Sequence, residues 1–523
     1  MLMKLTNEQA LIKALENQIK HLEKVNFELL QEKEGLMSII YEQQKELNKL
    51  LGDNQIIHEK YVVEKVRRFV AKGEHVKDVI VNEVEETLKS NKTSRGRKTG
   101  GKNFNSIDLN ASVSSVRFED PIFEADTDIS TLKLISQKER FVVEIIPAKL
   151  NVTKLIRRTY KCPKTNQFYY PLSNEVFPGS ILTPSFAAYI AYHKYELGIP
   201  FHHLEKHLSN TLKTDISKQL MSVWMKNTAQ LLTPLFNQMK ADLKRNAAQV
   251  IHADETTLVV SKRPEYDQLR KKSYVFVYST SFYDKSIHIY DFHETRGISP
   301  VATWLSDYRG YVVCDDFKGY TKLTKDNPNI KLQRCWAHAR RRFMDILKAL
   351  PKHQRKDTLS LKIVELINKL FAYEAHYKEN KIPPSEILVQ RHQDQLPVLE
   401  ALKKLVFEAA PKPNSLLETA LNYVKNIWDD LTTYLNHPYL EISNNLAERA
   451  VKPFVINRKV FMTSGSYAGA IYTTKLYSII RTAVINHLDV EKYLTYVLNH
   501  IGKVNINELV PYANNLPNNL RIN

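Results

Sequence analysis

The sequence predicts a multidomain α/β protein with an N-terminal coiled coil, and three observations carry that prediction. From Ile12 to Leu50 apolar residues recur on a heptad. From about residue 248 to 344, β-branched and aromatic runs alternate with short helical ones, and residues 345–440 are helical with little strand signal. At 523 residues the chain exceeds the roughly 250–300 residues at which a single core stops growing.

The heptad rows are Ile12, Ile19, Asn26, Lys33, Ile40 and Leu47 in one, and Leu15, Leu22, Leu29, Leu36, Gln43 and Leu50 in the other. Ile in the first row with Leu in the second favours two parallel strands, and the polar Asn26 and Lys33 in the seam fix register. Residues 1–55 are therefore read as a dimerising coiled coil, and a homodimer is expected. Residues 56–112 are a helix followed by a flexible linker, "KSNKTSRGRKTGGKNFN", with six basic residues, three glycines and no acid. Such a segment can lie on phosphates, with Arg95, Arg97 and Lys98 as its contacts.

Alternating apolar runs such as "RFVVEIIPAKL" and "KLIRRTYKC" make residues 113–180 a small β-rich module. Residues 181–247 turn helical in three stretches with basic faces, which could form a helix-turn-helix array that binds DNA. From 248 the period changes to three strands, a helix, a strand, a helix and a strand. Three consecutive strands can form an antiparallel meander to which helical crossovers add parallel strands. That order matches a ribonuclease H-like core, whose first part is 248–344. A helical insertion then spans 345–440, a final core helix 441–485 and a C-terminal tail 486–523.

Lys and Arg number 75 against 57 Asp and Glu, a formal net charge of +18 spread along the chain, which points to a polyanionic partner. Three separated cysteines, Cys162, Cys314 and Cys335, make neither a disulfide framework nor a cysteine zinc site. No apolar run reaches the roughly 18 residues of a membrane span, and the first residues carry charges throughout. A cytoplasmic protein with no membrane partner is expected.

Three acidic positions stand at the ends of apolar or basic elements: Asp254 in "VIHADET", Asp315 or Asp316 in "VVCDDFKGY", and Glu448 in "NNLAERAVKP". Each has an ordinary alternative as a turn residue, and Asn445 with Glu448 has the spacing of a capping box. In the expected sheet the first and fourth strands are neighbours, which brings their terminal acids within reach of one metal, with a helix Glu completing the set. Hard oxygen ligands suit Mg²⁺ or Mn²⁺, and two such ions can drive in-line phosphoryl transfer on a phosphodiester. Cys335 and His338 form a Cys-x-x-His without a second pair, so a supporting role beside the site is expected and zinc is not.

The motifs "HADET", "DDFKGY", "RCWAHARRRF" and "ISNNLAERAVKPFVINRKVFMTSGS", in that order, resemble those of the insertion-sequence-66 family of DDE transposases, over about Phe141 to Ile501. The resemblance implies Asp254, Asp315 and Glu448 as a metal-binding catalytic triad. It prefers Asp315 because Gly319 lies four residues on, and it places Asp316 where the family usually has Gly and where Asp tolerates a left-handed backbone. It further implies that Arg449, Lys452, Arg458 and Lys459 hold phosphates, although Lys452 could instead pair with Glu448 one helical turn away. The implied activity is that of an insertion-sequence transposase, a DNA-binding enzyme of DNA recombination in the bacterial nucleoid. It would bind the terminal inverted repeats of a mobile element, cleave DNA there and transfer the strands to target double-stranded DNA. Accessory proteins encoded by the same element are further candidate partners. A transposase-derived DNA-binding protein without catalytic activity is the alternative. One departure stands out: the family often carries two Cys-x-x-Cys pairs before the helical array, and this chain keeps Cys162 alone there.

Overall fold

A computed structural model describes residues 13–46, 60, 150–161, 168–169, 175–261, 272–281 and 284–522. The linker with Arg95, Arg97 and Lys98, most of the 113–180 module, and Cys162 lie outside the described residues. The chain divides into two compact units, one of Met1–Val84 with Tyr311–Asn444 and the other of Glu85–Gly310 with Asn445–Asn523.

Residues 13–46 are one helix, α1. Its heptad residues stand open, Leu15, Ile19, Leu22, Leu29, Leu36 and Ile40 each being at least half exposed. Of the β-rich module, two short antiparallel strands are described, β1 (Tyr160–Lys161) and β2 (Phe168–Tyr169). Next come α2 (Pro184–Ala191), which runs on as a π-turn (Tyr192–Glu196), α3 (Phe201–Leu212), α4 (Lys218–Leu231) and α5 (Thr233–Lys244). The long third stretch expected from sequence splits into α4 and α5 because Pro234 sits at the start of α5, where a missing N–H costs nothing.

The same unit continues with β3 (Val250–Val260), β4 (Lys272–Thr280), β5 (His288–His293) and α6 (Ile298–Trp304). The three strands form the expected antiparallel meander, with Asp254 opposite Val277 and Val277 opposite Tyr290.

The other unit holds β6 (Gly310–Cys314, whose first residue belongs to the unit just described), α7 (Lys318–Asp326) and β7 (Ile330–Arg334), the two strands being neighbours. After α8 (Trp336–Ala349) come α9 (Leu359–Glu379), α10 (Pro384–Gln390), α11 (Leu396–Phe407), α12 (Leu416–Asn426) and α13 (Trp428–Thr432). Residues 345–440 contain no strand. A buried guanidinium organises this helical block. Arg391, 1% exposed, pairs with both carboxylate oxygens of Glu374 and donates to the carbonyls of Tyr434, His437 and Leu440.

The remaining elements belong to the unit of the meander: α14 (Asn445–Phe461), β8 (Thr463–Ser464), α15 (Tyr467–Ile485) and α16 (Val490–His500). β8 pairs with the end of β3 in parallel, and α15 covers β5. Ser478 and Thr482 of α15 accept the N–H groups of Tyr290 and His288, so the edge of β5 is satisfied by side chains and protected from further pairing.

Candidate active site

Asp254 is the fifth residue of an eleven-residue strand, not its last. The Thr-Thr-Leu-Val-Val tail is rich in β-branched residues, and pairing with β4 and β8 carries the strand on. Asp254 is 8% exposed, and its Oδ1 accepts the Glu255 N–H at 2.9 Å. The face it occupies follows from register. Residues directly opposite on neighbouring strands share a face, so Asp254, Val277 and Tyr290 lie on one side, and Tyr290 donates its hydroxyl to the Ala450 carbonyl of α14 at 2.6 Å. Asp254 therefore lies on the face of the meander against which α14, the helix of Glu448, packs.

Glu255 faces the other way, in line with Phe276 and Asp291. There Arg296 donates to its carboxylate at 2.9 Å, and Asp291 bonds His293 at 2.9 Å. Two adjacent acids thus have opposite surroundings, a strand-alternation effect that "HADET" alone does not resolve.

Asp315 directly follows β6, half-buried, and Asp316 stands exposed beside it. Asp315 Oδ1 accepts the Phe317 N–H at 2.9 Å, an Asx-turn that leads into α7. Asp316 is not among the residues of positive φ, so the left-handed backbone expected there is corrected. What the motif requires instead is Gly319, because a Cβ there would lie 2.3 Å from the Phe317 ring. The turn is tied down by Arg334, 1% exposed at the end of β7. It donates to the Asp315 carbonyl, to Thr321 Oγ1 at 2.6 Å and to Asp430 Oδ2 at 3.3 Å, and touches Cys314 Sγ at 3.6 Å. Desolvation opposes its charge, but Cys314, Asp430 and Asp316 outweigh it and raise the Arg334 pKa; desolvation raises that of Asp430. Sequence reasoning missed Arg334, although it is the first residue of the motif "RCWAHARRRF".

α14 opens at Asn445, so Glu448 lies one position past the capping-box spacing. Glu448 is half-buried, whereas Arg449, Lys452 and Lys459 are exposed. Arg458 turns inward: its Nη1 donates to Thr256 Oγ1 at 2.9 Å, to Thr257 Oγ1 at 2.8 Å and to the Thr257 carbonyl, and desolvation lowers its pKa.

Among the described residues, one group offers three metal-ligand atoms all within 4.8 Å of one another: Cys335, His338 and Glu448. Asp254 and Asp315 are not in it. This corrects the expectation of two magnesium or manganese ions and no zinc, because a thiol, an imidazole and a carboxylate form a borderline-soft set that suits zinc rather than a hard cation. Cys335 is buried, and its sulfur accepts the Asn444 N–H at 3.2 Å.

These elements define a mixed α/β protein with acids on and beside its strands and exposed basic residues on α14. More particularly, the chain belongs to the IS66 family of transposases: the family model, Transposase IS66 family, matches residues 179–472. Two proteins of Sinorhizobium fredii (strain NBRC 101917 / NGR234) are similar. Uncharacterized protein y4jD is 23% identical over 439 residues, 80% of this chain and 83% of that protein. Uncharacterized protein y4qI is 24% identical over 383 residues, 71% of this chain and 69% of that protein. A solved structure, the Mos1 strand transfer complex, matches 48% of this chain and 78% of its own at 12% identity and a TM-score of 0.11, too slight a likeness to bear on the fold. No helix among the described residues is long and apolar enough to cross a membrane.

Proposed function

We propose that this chain is the DNA transposase of an insertion sequence, binding the terminal inverted repeats of its element, cleaving there and joining the freed ends to target DNA. The observation that carries the reading is the family match over residues 179–472, which includes all three acids. Asp254, Asp315 and Glu448 act as the catalytic carboxylates. In the first step water attacks the phosphodiester in line, and the 3′ oxygen leaves as a hydroxyl. In the second, that hydroxyl attacks a target phosphodiester, forming one P–O bond as another breaks, so no energy source is required. The carboxylates take up the proton of the attacking water or hydroxyl and orient it. When bound, a divalent cation supplies Lewis acidity and offsets phosphate charge.

Exposed Arg449, Lys452 and Lys459 on α14 would grip the flanking phosphates, while Arg458 holds β3. The open heptad seam of α1 would pair two protomers. The Cys335–His338–Glu448 group, in place of an all-carboxylate cluster, favours a second reading, a DNA-binding protein that has lost catalysis.

Cleavage and strand transfer on DNA carrying the element's ends, with divalent cations supplied one at a time, separates the two. Activity that persists in Asp316→Ala and disappears in Asp315→Ala supports the transposase. End binding without cleavage under every cation supports the binding protein.

A further inference from the structure

The transposase reading leaves open which element recognises the ends, and the geometry points to α4. We infer that α4 enters the major groove and reads base edges through Gln219, Ser222, Val223 and Lys226; this rests on the reading above.

α3 and α4 are joined by residues 213–217, with Lys213 in the left-handed region at φ 53° ending α3 and Ser217 capping α4. That is a helix, a short turn and a second helix, packed through Leu204 and Leu208 of α3, both fully buried. The inner face of α4 is buried through Met221, Trp224, Met225, Thr228 and Ala229. Gln219, Ser222, Val223 and Lys226 recur at three- and four-residue intervals on its exposed face.

Charge selects the occupant. α4 carries Lys218 and Lys226 and no acid. The two nearby acids are engaged within the motif, Glu205 accepting the Lys218 N–H at 3.2 Å and Asp215 the Ser209 hydroxyl at 3.0 Å. On α3, the pKa of exposed His202 is lowered by desolvation and then by positive His203, Lys206, Lys218 and Lys194.

The far end of α4 borders a cavity. Asn227 and Gln230 line a cavity of 340 Å³ with Phe177 and Leu182, and Gln230 donates to the Tyr472 hydroxyl at 3.4 Å. Asn227 and Gln230 are exposed as well, but they sit beside this cavity, whereas Gln219, Ser222, Val223 and Lys226 occupy the N-terminal part, the end that a recognition helix presents to bases. The side chains fit the groove: Gln pairs with adenine, Lys with guanine, and Val meets the thymine methyl.

The test is selection from a random duplex pool by the full-length protein, followed by binding titrations at several salt concentrations. Gln219→Ala and Lys226→Ala should each flatten preference at one or two base pairs, by roughly 10- to 100-fold against the best base. Lys218→Ala should weaken all duplexes alike and lower the salt slope by about one. Wild-type selection with base preferences unchanged in the Gln219, Ser222 and Lys226 variants overturns the assignment to α4 alone. Wild-type binding with no sequence preference overturns both the α4 assignment and end recognition by a transposase.

Discussion

Two arginines, one in each unit, hold backbone beside a candidate catalytic acid, and they do so at different depths. Arg334 is buried and gathers the Asp315 carbonyl, Thr321 and Asp430 around one guanidinium. Arg458 is half-buried and bonds Thr256 and Thr257, two and three residues past Asp254, on a strand that β4 pairs along its length and β8 pairs at Val259 and Val260. The Asp315 turn has no sheet ladder of its own, so a side chain must supply what the ladder supplies at Asp254. Basic residues in a motif are therefore of two kinds. Some hold the scaffold, and only those facing outward can meet DNA.

The largest expected effect tests whether the two scaffolds hold groups that act together. Asp254→Asn and Asp315→Asn should each reduce DNA cleavage by at least ~10³-fold, within the range for loss of a proton-transferring group, with folding and DNA binding retained. Asp316→Asn, at an exposed position whose side chain does not close the Asx-turn, should cleave at close to the wild-type rate. Loss of cleavage in Asp316→Asn but not in Asp315→Asn would reverse the assignment.

Depth should appear next in stability. Arg334→Met leaves the Asp315 carbonyl, Thr321 and Asp430 without their donor, and about 3 kcal/mol should be lost, less than a fully buried pair would give because Asp430 is 38% exposed. Arg458→Met should cost about 1 kcal/mol, since the strand keeps its ladder. Urea unfolding midpoints measure both, and equal losses would remove the distinction between the two clamps.

A separate, pH-dependent effect belongs to the β5 side of the meander. Desolvation and then Arg481 lower the His288 pKa from 6.5 to about 3. The unfolded chain binds a proton below 6.5 that the folded chain refuses until about 3, so stability present above 6.5 falls as pH drops through this window. The slope should be at most about 1.4 kcal/mol per pH unit. His288→Asn should flatten the acid limb of a stability-versus-pH curve, and an unchanged limb would show that His288 is solvated.

Much of the architecture was legible because periodicity is local. The succession of strands and helices from β3 to β7 follows from apolar alternation, and β3 can be read directly in "AAQVIHADETTLVV". What was not legible depends on residues distant in sequence. Nothing in "RCWAHARRRF" marks Cys335 and His338 as members of a candidate metal group, so zinc is not expected from the sequence. Likewise "FVINRK" presents Arg458 and Lys459 as equals, and only packing turns Arg458 onto β3. The break between α4 and α5 was legible in Thr-Pro, but the helical period on either side concealed it.

The smallest effects concern the outward-facing group. Lys452 and Lys459 are exposed on α14, so replacing either by Ala should move the unfolding midpoint by no more than about 0.5 kcal/mol. If they meet DNA, each contributes one counterion-releasing phosphate contact. The slope of log affinity against log salt should then fall by about one per substitution, uniformly across DNA sequences. Arg458→Lys provides the contrast: it keeps the charge but replaces the planar fork that spans Thr256 and Thr257 with a single ammonium. It should lower stability while leaving the salt slope intact. If Lys452→Ala and Lys459→Ala leave the slope unchanged and Arg458→Lys reduces it, the assignment of inward and outward roles on α14 is reversed, and Arg458 must leave β3 when DNA binds.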